Sequence, residues 1–331
     1  MDVFRMAGRA GLGAALLWLL GWAGAAASEL HVWRDATVAA KSEAGFTMMA
    51  SRGGFAKKFG LNLEMLQMPG DPIMLKALLA GEIESYEASP GGAILAAARG
   101  ADVKILGCYW PHSTHAVFVR AGIAKAEDLS GKTFAISAPG GLSDLLARLF
   151  LESHHMAPSE VRLVVLGSDA NRYKGLVAGE VAAGVIAGEF GAVAQANGIR
   201  MLEGVNEFAP NWPNICTITS GAVLAARRDD AVRYVASEMV AQRYALSHKA
   251  ETVALTREVT GMKPDNPRPE YFYDLVLREK AIDPTVPFPE KQLDWLQLQL
   301  VKLGNLPHPI DIARLGDESI RNDALALAAK P

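Results

Sequence analysis

Tyr109, Trp110, His112 and His115 crowd one short segment of this 331-residue chain, and between them could stack a ring, donate hydrogen bonds or ligate a metal. A zinc-type site needs three or four ligands, and no third donor stands at a convincing spacing, so no metal is expected. Trp110 reads as ordinary packing, and Tyr109 and His112 as stacking and hydrogen-bonding groups beside a cleft. The turn Ser137-Ala138-Pro139-Gly140-Gly141 leads into a helix beginning near Leu142. Backbone N–H groups converging on a helix N-terminus favour negative charge, which makes Ser137, Gly140, Gly141 and Ser143 candidate anion contacts. The same Pro-Gly-Gly serves equally as a bare strand-to-helix connection, and a glycine pattern alone does not separate the two readings. Ser143-Asp144 sets a hydroxyl beside a carboxylate, but no G-x-S-x-G elbow surrounds it and no histidine has an interpretable spacing. No catalytic residue is assigned.

Carboxylates point the other way. Glu189 follows VAAGVIAG, where a strand ends, so it belongs to a cleft or its rim. There it would oppose a bare sulfonate or nitrate and suit a ligand carrying an amine or an N–H donor. Glu87 raises the same question more weakly. Trp212 could stack a ring or simply pack.

These residues need a scaffold that gathers them, and the chain alternates strand and helix signals from Leu30 onward. LHVWRDATV reads as a strand, Ser42–Lys58 as a helix capped by Ser42, and LNLEMLQM as a second strand. Leu75–Gly107 then reads as helix, strand, Ser89-Pro90-Gly91-Gly92 turn, helix and strand, with Asp71 as N-cap and Pro72 at the first helical position. The pattern is a parallel α/β sheet. A smaller α/β unit follows over 130–211, then a β-rich run, Asn214–Arg227, that returns the chain to the first unit. The remainder is helical. The expected organisation is a leader over 1–27, lobe 1 over 28–121, lobe 2 over 122–213, and a return to lobe 1 with C-terminal helices over 214–331. Ligands of such sheets bind at the carboxyl ends of strands. That rule adds Thr37, Lys41 and Ser42 from one loop and Ser89, Pro90 and Gly91 from another.

Composition narrows the partners. The chain has 33 basic and 36 acidic residues, a net charge of −3; the leader holds Arg5, Arg9 and Asp2, so its removal leaves −4. That argues against nucleic acid and anionic membranes as partners. Arg5 and Arg9, the apolar run Gly11–Gly24 and Ala25-Ala26-Ala27 read as a secretory signal peptide cleaved before Ser28, so a periplasmic destination is expected. Cys108 and Cys216 could pair in an exported protein, or remain two buried thiols.

Taken together, LLAGEIE followed by AAARGADVKILG, the passage Phe55–Leu63, and EDLSGKTFAIS with its Gly-rich turn resemble one family. It is the nitrate/sulfonate/taurine type of periplasmic substrate-binding protein of ABC importers, which also includes binders of thiamine-precursor pyrimidines. Where that family usually has Asp after Gly-Glu-Ile, this chain has Glu84. The resemblance implies a type II periplasmic-binding fold, two lobes joined by a two-strand hinge, and a ligand held between them. It implies delivery of a small organic anion such as a sulfonate to a membrane permease, by a monomer without cofactors. A nitrogen heterocycle, a sensor role, and an enzyme of the same fold, as in related eukaryotic pyrimidine-synthesising enzymes, are the alternatives.

Overall fold

The computed structural model describes residues 30–38 and 40–329; the expected leader lies outside them. Ten strands form two five-stranded sheets. The first contains β1 (His31–Val38), β2 (Leu61–Met68), β3 (Ser85–Ala88), β4 (Lys104–Trp110) and β10 (Ile215–Thr219), in the order β2-β1-β3-β10-β4. The second contains β5 (His115–Arg120), β6 (Thr133–Ile136), β7 (Arg162–Val165), β8 (Ala183–Ala187) and β9 (Ile199–Gly204), in the order β7-β6-β8-β5-β9. In each sheet the fourth place is taken by an antiparallel strand that has just arrived from the other sheet: β10 beside β3 and β4, and β5 beside β8 and β9. Each sheet with its helices is a lobe.

β5 corrects the expected lobe boundary. His115–Arg120 pairs with β8 and β9, so the chain leaves the first sheet at 111–114 rather than near Val119–Ala124. The return runs through 209–214, where the Asn214 N–H donates to the Trp110 carbonyl at 3.0 Å and lays the two crossings side by side. The Cys108–Cys216 disulfide joins β4 to β10 beside them.

The first sheet is buried on both faces. Trp33, Leu61 and Leu63 pack against Tyr234, Val235 and Met239 of the helix Gly221–Ser247, and Ala36, Tyr86 and Ile105 against Met74, Leu78 and Ile94 of the helices Asp71–Leu79 and Gly91–Ala98. Period-2 alternation sends Trp33 and Asp35 to the first face and Ala36 to the second.

Several expected elements differ. Ser42–Lys58 is three short helices, Ala44–Thr47, Met49–Arg52 and Phe55–Lys58; the break between the first two falls at Met48, and Gly53-Gly54 separates the last two, Gly54 adopting a left-handed φ of 78°. No side chain caps the first of them. Asp71 is the first helical residue and Gly70 the N-cap, which frees the Asp71 carboxyl from capping. The expected β-rich run after Asn214 is strand only to Thr219, because the Ser220 hydroxyl accepts from Val223 N–H and starts a helix at Gly221. That helix kinks at Arg227, so the helix expected from Asp230 is its second segment. No helix among the described residues is long and apolar enough to cross a membrane.

Candidate functional site: a carboxylate-lined cleft between the lobes

A cavity of about 510 Å³ opens between the lobes, at the carboxyl ends of β1, β3, β6, β7 and β8 and against both crossings. From lobe 1 it receives Thr37, Lys41, Glu43, Asp71, Glu87 and Ser89, and from lobe 2 Ser137, Ser143, Asp169, Arg172 and Glu189. The crossings add Trp110, Thr114, His115 and Asn214, and the C-terminal helix Arg268–Arg278 adds Phe272. Trp110 and Phe272 lie with ring centroids 5.9 Å apart and form an aromatic corner. The buried indole N–H of Trp110 has no partner among the described residues.

The cations are already engaged. Asp169, the first residue of the helix Asp169–Ala178, accepts from Arg172 Nη2 at 2.5 Å, from Lys41 Nζ at 2.9 Å and from the Ala187 N–H at 3.0 Å. Burial opposes ionising Asp169, but His115, Lys41 and Arg172 prevail and hold its carboxyl well below the usual range. Burial brings His115 down to about 4 against the pull of Asp169, so the imidazole is neutral near pH 7. The Lys41–Asp169 pair also ties one lobe to the other.

Glu189 is tied as well. It is buried, accepting from the Ser42 N–H at 3.0 Å and facing Arg268 Nη1 at 3.4 Å. It therefore joins the lobes rather than lying on an exposed rim, and Arg268 stacks over the neighbouring Phe190 ring, 5.3 Å from its centroid.

Among the described residues, Glu43, Asp71 and Glu87 line the cavity without an ion-pair partner of their own, Lys41 and Arg172 being engaged with Asp169. Burial pushes Glu43 up to about 7, with Lys41 opposing, and raises Asp71 and Glu87 also, the latter well above the carboxylate range. One oxygen of Asp71 and both of Glu87 are buried without a hydrogen bond among the described residues. Such atoms cost free energy until something donates to them.

The expected anion cradle is otherwise occupied. The Ser137 N–H donates to Ser143 Oγ at 2.6 Å, the Gly140 N–H to Asp144 at 2.7 Å, and the Gly141 N–H to the Ala138 carbonyl at 3.1 Å. Asp144 itself sits in the first turn of the helix Leu142–Ser153, supplying the negative charge the dipole favours.

Of the residues singled out from sequence, Thr37, Lys41, Glu87, Ser89, Ser137, Ser143 and Glu189 lie against the cavity. Ser42 adjoins it through its backbone, while Pro90 and Gly91 start the helix behind Ser89, and Gly140 and Gly141 form the turn behind Ser137. Tyr109 is fully buried behind Glu87, His112 lies off the cavity in the crossing, and Trp212 packs edge-on against Trp295, 6.5 Å between centroids. Sequence reasoning assigned packing to Trp110 and cleft contact to His112, whereas Trp110 and His115 line the wall. It missed Glu43, Asp71, Asp169, Arg172 and Phe272. Asp169 had a signal: Gly167-Ser168-Asp169 follows the carboxyl end of β7, a position like those of the other cleft loops. Phe272 had none, being distant in sequence on a helix that reads as packing.

Residues 42–252, well over half the chain, match the family described as NMT1/THI5 like. The chain belongs to that family. No curated protein matches the sequence. Among solved structures, the periplasmic aliphatic sulphonate binding protein SsuA from Escherichia coli is 17% identical with a TM-score of 0.71, covering 88% of this chain and 99% of that one. The alkanesulfonate-binding protein SsuA from Xanthomonas axonopodis pv. citri, bound to MOPS, is 18% identical with a TM-score of 0.68, covering 88% and 99%. The periplasmic nitrate-binding protein NrtA from Synechocystis PCC 6803 is 14% identical with a TM-score of 0.72, covering 92% and 90%. The shared fold is that of periplasmic binding proteins.

Proposed function

We propose that this NMT1/THI5-like protein is an extracytoplasmic solute-binding protein that encloses a small nitrogen-bearing molecule, such as an amino-substituted heterocycle, between its lobes. In this reading it acts in the periplasm as a monomer and hands its ligand to an ABC permease. The observation that carries the ligand class is the cavity's carboxyl lining: among the described residues Glu43, Asp71 and Glu87 stand without ion-pair partners while Lys41 and Arg172 are committed to Asp169. Unpartnered carboxyl groups await donors, and the Trp110–Phe272 corner offers a flat ring a surface. The absence of an assembled nucleophile and base around Ser143, whose hydroxyl bonds to Ser137 at 2.8 Å, favours binding over catalysis.

An anion such as a sulfonate is the second reading, supported by the sulphonate- and nitrate-binding structural neighbours. It requires the ligand to displace Asp169 from Lys41 or Arg172. A thermal-shift panel of aminopyrimidines, amines, alkanesulfonates and nitrate at pH 7 separates the two, because a ligand that binds only the folded state raises the melting temperature. Stabilisation by aminopyrimidines or amines supports the proposal; stabilisation by sulfonates alone overturns its ligand class.

A further inference from the structure

Glu87 is not an isolated carboxyl. β3 carries Ser85 and Glu87 on the face that meets the helix Gly221–Ser247, and Asp35 of β1 stands in register with Ser85, whose hydroxyl donates to it at 2.5 Å. Trp33 on the same face of β1 donates to that hydroxyl at 2.9 Å and stacks on Tyr234 of the overlying helix. Glu238 lies one turn beyond Tyr234 on that helix, with Gln242 Nε2 a long 3.5 Å away. Three carboxyl groups, Asp35, Glu87 and Glu238, are thus gathered in one face of lobe 1, each no more than 2% exposed. Only Glu87 reaches the cavity.

The groups around Glu87 are Asp35 from β1, Glu238 and Tyr234 from the helix, Tyr109 from β4, and Thr217, its register partner on β10. The titratable groups acting most on it through space, Asp35 and Glu238, are both acidic. The Tyr109 hydroxyl lies close without a hydrogen bond of ordinary geometry, and both Glu87 oxygens remain unpartnered. Three buried carboxylates cannot all ionise side by side.

We propose that Glu87 meets the solute as a neutral carboxylic acid, kept protonated by its burial and by the acidic Asp35 and Glu238 behind it, so that it offers one donor and one acceptor. This rests on the reading of the cleft as a solute site and sharpens its chemistry. A charged carboxylate selects a cation, whereas a neutral acid pairs with an adjacent acceptor and donor, as on the edge of a 4-aminopyrimidine or an amide. Glu87 is then a specificity-determining residue, and Asp35 and Glu238 position its proton.

The first test needs no ligand. Carboxyl-carbon NMR of the full chain labelled at glutamate, with Glu87 assigned through Glu87→Gln, is expected to show Glu87 titrating well above the ordinary carboxylate range and moving back towards it in Glu238→Gln. A Glu87 resonance titrating near pH 4.5 overturns the proposal. The second test is calorimetry with 4-aminopyrimidine from pH 6 to 9.5. Affinity is expected to fall as Glu87 ionises, Glu87→Gln to abolish that fall, and Glu87→Ala to weaken binding about tenfold at pH 7. Equal loss at pH 7 in Glu87→Gln and Glu87→Ala overturns the proposal, since it means the charge was what mattered. If the wild type ignores 4-aminopyrimidine, the donor–acceptor role is refuted for this probe, and the titration still decides the protonation state separately from the broader solute-binding reading.

Discussion

Glu84 and Glu87 lie three residues apart and have opposite surroundings. The Glu84 carboxylate accepts from the Arg34 N–H at 2.6 Å, from Arg34 Nη2 at 2.9 Å and from Arg227 Nη1 at 2.8 Å, on the side of the sheet's strands away from the cleft. Glu87 has no such partner. The glutamate that departs from the family's usual Asp is therefore a clasp between β1 and the kink at Arg227, where the longer side chain meets two guanidinium groups. Glu84→Gln is expected to lower stability by about 2–3 kcal/mol, less than for a fully buried pair because both arginines keep solvent contact; the denaturation midpoint measures it. At Glu189 the expectation concerns shape. Glu189→Ala removes the acceptor of the Ser42 N–H and the partner of Arg268, so the lobes should separate more readily. Small-angle scattering of the unliganded variant should give a larger radius of gyration than the wild type; superimposable curves would mean that Glu189 does not hold the lobes.

At the scale of elements, the two crossings and the strands they deliver form the mechanical centre. The disulfide between Cys108 and Cys216 closes a sequence separation of 108 residues across β4 and β10. Replacing both cysteines by serine should lower stability by about 2–4 kcal/mol, read from denaturant unfolding under non-reducing conditions. Strand-and-helix alternation was legible because it is local: the helix Asp169–Ala178 runs as its pattern and its Ser168 cap demand. Sheet membership was not local. His115–Arg120 reads as a strand from its own residues, but pairing with β8 and β9 depends on residues more than sixty positions downstream. The cleft was legible only as far as the rule that strand carboxyl ends line it. Which side chain turns inward depends on register, and so His115 rather than His112 meets the cavity. The Ser137–Gly141 cradle misled for a physical reason: the N–H groups of Ser137, Gly140 and Gly141 are satisfied by nearby oxygens of the same loop and helix.

For the whole molecule, buried acids make stability depend on pH. Burial raises Asp35 to about 7, Glu43 to about 7 and Glu238 to about 8, and Glu87 well above its ordinary value. Between the unfolded carboxyl range, near pH 4, and these folded values, the native state holds more protons than the unfolded chain. Their contribution is complete below about pH 4 and is lost as pH rises through 7 to 8. His115, lowered to about 4, and Asp169, held below its usual range, act in the opposite sense and lose their contribution in acid. The melting temperature should therefore fall from pH 6.5 to 8.5, and Glu238→Gln should flatten that fall; an unchanged slope in the variant would remove Glu238 from the account.

In the proposed function, the cleft recognises a nitrogen-bearing solute through carboxyl groups. Calorimetric titration of the wild-type protein at pH 7 with 4-aminopyrimidine and, separately, with an alkanesulfonate tests it most directly. Saturable heat with the aminopyrimidine and none with the sulfonate is the expected result. Saturable binding of the sulfonate with a silent aminopyrimidine would contradict it, and would mean that Lys41 and Arg172 leave Asp169 to hold an anion.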